Sequence, residues 1–142
     1  MSADMNRFPK IGEVYYMQFD GHGNEQRGWR PCLVFQNNLG NKYSPNLIVL
    51  PLTSKIKKTY QPTHTFLPSD ATGLPRDSIV LCENPKCVSK EKLGSYITTI
   101  PSEYMAQVAI SYLLATSALS LVKLRDLPSL WQLSASLNVV AA

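Results

Sequence analysis

A change of period at Pro101 constrains the fold of this chain most. Before it, short apolar runs are separated by clusters of Gly, Pro, Asn and Asp. "GEVYYMQF" (12–19) alternates between apolar and polar positions, as a half-buried strand does. "PCLVFQ" (31–36), "LIVLPLT" (47–53), "THTFL" (63–67), "SIVLCE" (78–83) and "SYITTI" (95–100) read as further strands. The third of these six, "LIVLPLT", is apolar throughout and is expected at the centre of a sheet. "DGHGNEQRGWR" (20–30) and "SKIKKTYQP" (54–62) read as loops, and "NNLGNKYSPN" (37–46) as turn chemistry. "PKCVSKEKL" (85–93) reads as holding a single helical turn. After the change, Tyr104, Val108, Tyr112, Ala115 and Leu119 recur at helical spacing, and Pro101 suits a first helical position. Short strands followed by one helix predict a mainly β fold with α: a small, strongly bent sheet or barrel closed on one side by the helix.

At 142 residues the chain is expected to be one domain with a real core. The stretch Val108 to Val122 is interrupted by Ser111, Tyr112, Thr116, Ser117 and Ser120. It falls short of the roughly 20 apolar residues a membrane span needs, so no membrane is expected. Leu127, Leu130, Trp131 and Leu137 make an apolar tail that is expected to dock on the barrel or on a partner subunit, with Pro128 able to start a short helix. Cys32, Cys82 and Cys87 are an odd set. Without a signal peptide, they argue for a reducing compartment, the cytoplasm. Cys82 and Cys87 form C-x4-C, but no second Cys/His pair completes a zinc site, and His22 and His64 stand in separate segments. No metal or other cofactor is expected. The net charge of +4 is compatible with nucleic acid and decides nothing alone.

One stretch calls for chemistry. "EQRGWRP" (25–31) gathers long polar groups where a loop enters a core strand. Such a cluster is either solvated or a site. By residue type alone, the commoner use of Arg30 is a surface pair with Glu25, and Thr53 is an ordinary β-branched strand residue. Trp29 is more often a core or interface residue, though beside Arg30 it could stack a base. The basic run Lys55, Lys57 and Lys58 is as readily a solvated loop as a nucleic-acid contact.

The pattern E-Q-x-G-x-R-P-x-L-V, with "QN..GN.YSP" after it and a strand ending Thr53-Ser54, resembles the MazF/PemK (Kid) toxins of bacterial toxin–antitoxin pairs. The likeness runs in order from about Gly12 to Leu119, leaving residues 120–142 as an apolar C-terminal extension. It implies an SH3-like barrel with a C-terminal helix and a homodimer with an RNA groove. It also implies a cognate acidic antitoxin and metal-independent, sequence-specific cleavage of single-stranded RNA. It singles out Arg30 and Thr53 as catalytic, the loop Asn24, Glu25 and Gln26 as the site's cover, Glu83 as the acidic residue after "IVL-C", and Asn84 as a base-reading position. The PemK branch has His where this chain has Asn24 and Arg where it has Leu81, so only the carboxylate of that branch's scheme survives, as Glu83.

These residues suit the reaction. RNA supplies its own nucleophile, the 2′-hydroxyl. The protein must position it, take its proton, stabilise charge on the phosphoryl oxygens and protonate the leaving 5′-oxygen. The planar fork of Arg30 can hold two phosphate oxygens, and Thr53 can donate one more hydrogen bond. Arginine, with a pKa above about 12, is a costly general base, which leaves Glu83 or Glu25 for that role. A competing reading keeps the barrel and drops the chemistry: a non-catalytic, gyrase-inhibiting toxin of the CcdB type.

Overall fold

A computed structural model describes residues 7–19, 28–56 and 61–139. Seven strands run in the order β1 (Glu13–Phe19), β2 (Gly28–Val34), β3 (Asn46–Thr53), β4 (His64–Leu67), β5 (Ser78–Leu81), β6 (Lys86–Ser89) and β7 (Leu93–Thr99). Every pairing is antiparallel, and the sheet order is β4-β5-β3-β2-β1-β7, with β6 also on β3.

The centre is β3, as its unbroken apolar run predicts. One of its edges pairs with β2. The other pairs first with β6, up to Val49 opposite Lys86, and then with β5, from Leu52 opposite Val80. Pro51 falls in the gap between those two pairings, where a missing N–H costs the ladder least. This change of partner bends the sheet until both faces are covered. Val14, Leu33, Leu50, Leu52 and Val80 fill one core, and Met17, Cys32, Val34, Leu47 and Val49 fill the other. Alternating residues of β1, β2 and β3 therefore feed two cores, which is why β3 has no polar side.

The helix α3 (Ser102–Ala115) closes the first core. Val108 is fully buried, and Tyr104, Met105 and Tyr112 pack beside it. The Ser111 hydroxyl lies 2.8 Å from that of Thr65 and ties the helix to β4. Pro101 is the N-cap rather than the first helical residue. The helix stops before Leu119, because the Thr116 hydroxyl bonds back to the Tyr112 carbonyl (3.3 Å) and the chain turns extended there. Leu119 falls instead on α4 (Ala118–Leu121), half exposed.

Two local expectations are corrected, and two segments gain elements that the sequence pattern did not mark. β2 begins at Gly28, so Trp29 and Arg30 are strand residues and not loop. The stretch 37–46 holds the helix α1 (Asn38–Tyr43), because the Asn37 side chain caps it by accepting from Gly40 N at 2.9 Å. "PKCVSKEKL" forms β6 and a single 3-10 turn (Lys90–Lys92), since Val88 finds a cross-strand partner in Leu47. The segment between β4 and β5 carries the one-turn helix α2 (Ser69–Thr72).

The tail departs from the first half of its expectation, docking on the barrel. It forms α5 (Leu127–Leu137), with Pro128 in its first turn as expected, but it buries no residue. Leu127 and Leu137 are half-buried, whereas Leu130 is 45% and Trp131 80% exposed. Both sheet faces are already filled, by α3 on one side and by Val88 and Leu93 on the other, so α5 meets no open core face within the protomer. It is tied down by polar contacts: the Asn38 amide donates to Asn138 Oδ1 (2.9 Å), and Asn38 Nδ2 donates to the Asn138 carbonyl (3.3 Å). Among the described residues, no helix is long and apolar enough to cross a membrane.

Candidate functional site

Antiparallel pairing sets the start of β2, the end of β3 and the start of β5 at one rim of the sheet. Cys32 faces Pro51, and that register carried two residues further sets Arg30 beside Thr53. Thr53 in turn faces Ile79 of β5. At this rim lies a cavity of about 360 Å³, lined by Arg30 and Pro31 of β2, Thr53 of β3, and Ser54 and Lys55 just after it. Leu74, Pro75, Arg76 and Ser78 form the facing wall, with Tyr16, Ile97 and Leu52 below.

The facing wall is anchored. Thr98 Oγ1 donates to the Thr72 carbonyl (2.7 Å), the Ser69 amide donates to Asp77 Oδ1 (2.8 Å), and Ser78 Oγ donates to the Arg76 carbonyl (2.9 Å). Leu74 is buried in the first core. Gly73 permits the tight turn before it with φ of 79°, and a Cβ there would meet Thr98 Oγ1 at 2.6 Å. Arg76 is thus presented from a fixed segment.

Electrostatically the cavity has one sign. Arg30, Lys55 and Arg76 line it, and no described lining residue is acidic. Asp77 is turned away onto the Ser69 amide. The Lys55 amide donates to Thr53 Oγ1 at 3.1 Å, which engages a lone pair of that hydroxyl and leaves its proton to donate elsewhere. Three cations and a hydroxyl donor at a half-open rim suit an anion with several oxygens, such as a phosphodiester.

Not every expected residue gathers here. Glu83 and Asn84 lie on the turn after β5, where the Asn84 amide donates to the Leu81 carbonyl. Glu83 Oε2 is 2.7 Å from His64 Nε2. Thr53 faces Ile79 near the start of β5, whereas Glu83 follows the other end of that strand and is not among the residues that line the cavity. Trp29 lies beside the cavity, more than half exposed, over Gly94. Asn24, Glu25, Gln26, Lys57, Lys58 and His22 lie outside the described residues.

The cysteines are not candidates for chemistry at this rim. Burial pushes the Cys32 thiol up to about 12 and the Cys82 thiol to about 11, whereas Cys87 is exposed. Among the described residues, no three His, Cys, Asp or Glu side chains gather as a metal site would require. Ser54, Arg76, Ser78 and Tyr16 are lining residues that the sequence reading did not single out. Arg76 and Ser78 bracket "RDS" at the start of a strand, but nothing local shows that this strand adjoins Thr53.

The fold and the rim can be set beside known proteins. Residues 10–112 match the family described as PemK-like, MazF-like toxin of type II toxin-antitoxin system. This chain belongs to that family. Endoribonuclease EndoA of Bacillus subtilis (strain 168) is 39% identical to it over 100 residues, covering 70% of this chain and 86% of that protein. Among solved structures, MazF (Form-I) from Deinococcus radiodurans superposes with a TM-score of 0.64 at 24% identity, covering 75% of this chain and 94% of that one. The MazE–MazF complex (Form-II) from the same organism gives 0.61 at 20% identity, covering 82% and 98%. These likenesses bear out the expected small β fold with C-terminal helices. The family match ends at residue 112, inside α3, so α4 and α5 lie beyond it.

Proposed function

We propose that this toxin-family chain is an endoribonuclease that cleaves single-stranded RNA at the rim cavity, by attack of the 2′-hydroxyl on the adjoining phosphate. The observation that carries the reading is the meeting of Arg30, Thr53 and Lys55 in one cavity without an acidic lining residue among those described. The 39% identical relative, itself named an endoribonuclease, supports it. In the reaction the 2′-oxygen bonds to phosphorus, the P–O5′ bond breaks, the 2′-hydroxyl proton passes to a base and the 5′-oxygen takes up a proton. Arg30 holds the phosphoryl oxygens, and Thr53 adds a donor where their charge grows. The candidate bases are Glu25, five residues before Arg30 in the chain and outside the described residues, and Glu83. Glu83 is bonded to His64 on the turn after β5 and does not line the cavity within one protomer. This favours Glu25.

The rest of the reading extends the family's role. The chain acts in the cytoplasm as a homodimer and is held inactive by a cognate acidic antitoxin. That partner's carboxylates suit the same cations, so RNA and antitoxin compete. RNA affinity falls with salt as phosphate contacts release counterions. Nothing in the relatives supports the non-catalytic, gyrase-inhibiting alternative.

The test is a cleavage assay with end-group analysis. Products should carry a 2′,3′-cyclic phosphate and a 5′-hydroxyl, and cleavage should survive EDTA. A single 2′-deoxy sugar 5′ to the scissile phosphate should abolish cutting and leave binding. Arg30→Ala should cost about 10³-fold, the scale for removing an arginine from a transferring phosphoryl group. Arg30→Lys should recover part, because a point charge remains while the fork is lost. Full activity of Arg30→Ala, or a 3′-hydroxyl product, would sink the mechanism.

A further inference from the structure

Beside the phosphate-sized cavity lies a second hollow of about 350 Å³, lined by Tyr16, Trp29, Gly94 and Ser95. Tyr16 is a wall of both. Trp29 is 56% exposed, and its six-membered ring lies close over Gly94. A Cβ on residue 94 would lie 2.5 Å from Trp29 Cζ3, 3.1 Å from Cε3 and 2.8 Å from the Tyr16 carbonyl oxygen. The ring therefore rests on the bare backbone of β7, a position only glycine leaves open. The register agrees, since Gln18 faces Trp29 and Tyr16 faces Pro31, which puts Tyr16 and Trp29 on one face of the β1–β2 pair.

We propose that Trp29, seated on Gly94 beside Tyr16, is a stacking shelf for the nucleobase next to the scissile phosphate. The proposal rests on the reading of the rim cavity as an RNA-cleaving site and assigns the subsite that holds the adjoining base. Three observations converge on a base as the occupant. The shelf is continuous with a cationic cavity through Tyr16. Its lining holds no charged side chain among the described residues. Its main surface is an indole already seated on the backbone at Gly94, which limits the side-chain freedom that stacking would cost. Trp29 and Arg30 point to opposite faces of β2, and the two hollows meet at Tyr16 on the sheet rim, so a strand that crosses the rim can set a base on the shelf and its phosphate at Arg30. Gly94 is the positioning residue: it touches no RNA and fixes the plane of the ring.

The experiment is a double cycle between protein and RNA. A cleaved site is first mapped by primer extension on a long RNA. Short RNAs spanning it are then made with one 2′-deoxy sugar that blocks cutting, and with a single abasic position walked along the site. Trp29→Ala should weaken binding roughly 5- to 150-fold, the range for loss of one stacked base. Trp29→Phe should keep most of the affinity. One abasic position flanking the scissile phosphate should weaken wild type by a similar factor and leave Trp29→Ala no worse, because both remove the same contact. Gly94→Ala should lose affinity for the full RNA and lose none for the RNA abasic at that position. Trp29 is exposed, so its variants keep the fold even if Gly94→Ala does not. Wild-type affinity in Trp29→Ala, additive losses at every abasic position, or a Trp29→Ala protein that turns monomeric by light scattering would each overturn the shelf. In those outcomes cleavage by wild type and its loss in Arg30→Ala still stand, so the shelf fails alone. A wild-type protein that cuts no RNA overturns the enzyme reading and the shelf with it.

Discussion

Thr53→Val is the sharpest single test of the rim chemistry, because the structure separates its catalytic cost from its folding cost. Valine keeps the β-branched shape at the end of β3 and removes one hydroxyl. That hydroxyl accepts the Lys55 amide at 3.1 Å in an exposed position, so water replaces it and stability should change by less than about 1 kcal/mol. The lone pair engaged by Lys55 leaves the hydroxyl proton to the cavity, and that donor is what valine deletes. Loss of one donor to a developing oxyanion costs about 2.7–4 kcal/mol, or 10²–10³-fold in kcat. Thr53 is half-buried and its cavity is open to water, which places the expected loss near the lower end, about 10²-fold. Thr53→Ser keeps the hydroxyl and should stay within about tenfold of wild type, since one donor is worth far more than one methyl here. The assay is the single-turnover rate on a mapped RNA, with the urea midpoint measured on the same samples. A Thr53→Val protein cutting at the wild-type rate would refute the donor role. So would equal losses in valine and serine, or a rate loss that tracks a fall in midpoint.

Three further outcomes are expected. Burial, and then the hydrogen bond to Glu13 (2.9 Å), raises the Tyr15 phenol well above its ordinary range, while in the unfolded chain it ionises near about 10. Its contribution to stability is therefore whole below about pH 10 and is lost as pH rises further; urea midpoints of wild type should fall from pH 10 upward more steeply than those of Tyr15→Phe. At pH 8 a thiol reagent should modify native protein quickly at Cys87 alone, with Cys32 and Cys82 reacting only on unfolding, and Cys87→Ser should abolish the fast phase. Asn138→Ala strips an acceptor from the part-buried Asn38 amide and should cost about 1–3 kcal/mol, with faster amide exchange in α5, whereas Trp131→Ser on the exposed face should stay within about 0.5 kcal/mol in dilute protomer; a Trp131→Ser melting temperature several degrees lower would mean that a second copy covers the tail.

The local pattern of residues determined the strands, the closing helix and the central place of β3. Each of these follows from side-chain period and chain punctuation, which act over a few residues. Arg30 and Thr53 stood out through a motif, and Pro31 and the Thr53-Ser54 strand end mark where they sit. The same local rules misread 37–46, where an asparagine cap turned apparent turn chemistry into a helix, and left β6 unmarked in 85–93, where the edge of β3 drew Val88 into a strand. What only the tertiary structure decided is which rims meet. Arg76 reaches the cavity because β5 pairs with the end of β3, and that same pairing carries Glu83 to the far end beside His64. The seat of Trp29 on Gly94 joins residues of strands that are distant in sequence, and no local pattern encodes a missing side chain beneath a ring. The tail shows the limit from the other side. Its apolar composition announced burial, but burial against the barrel depends on a face left open, and within the protomer the two cores of the sheet are already full.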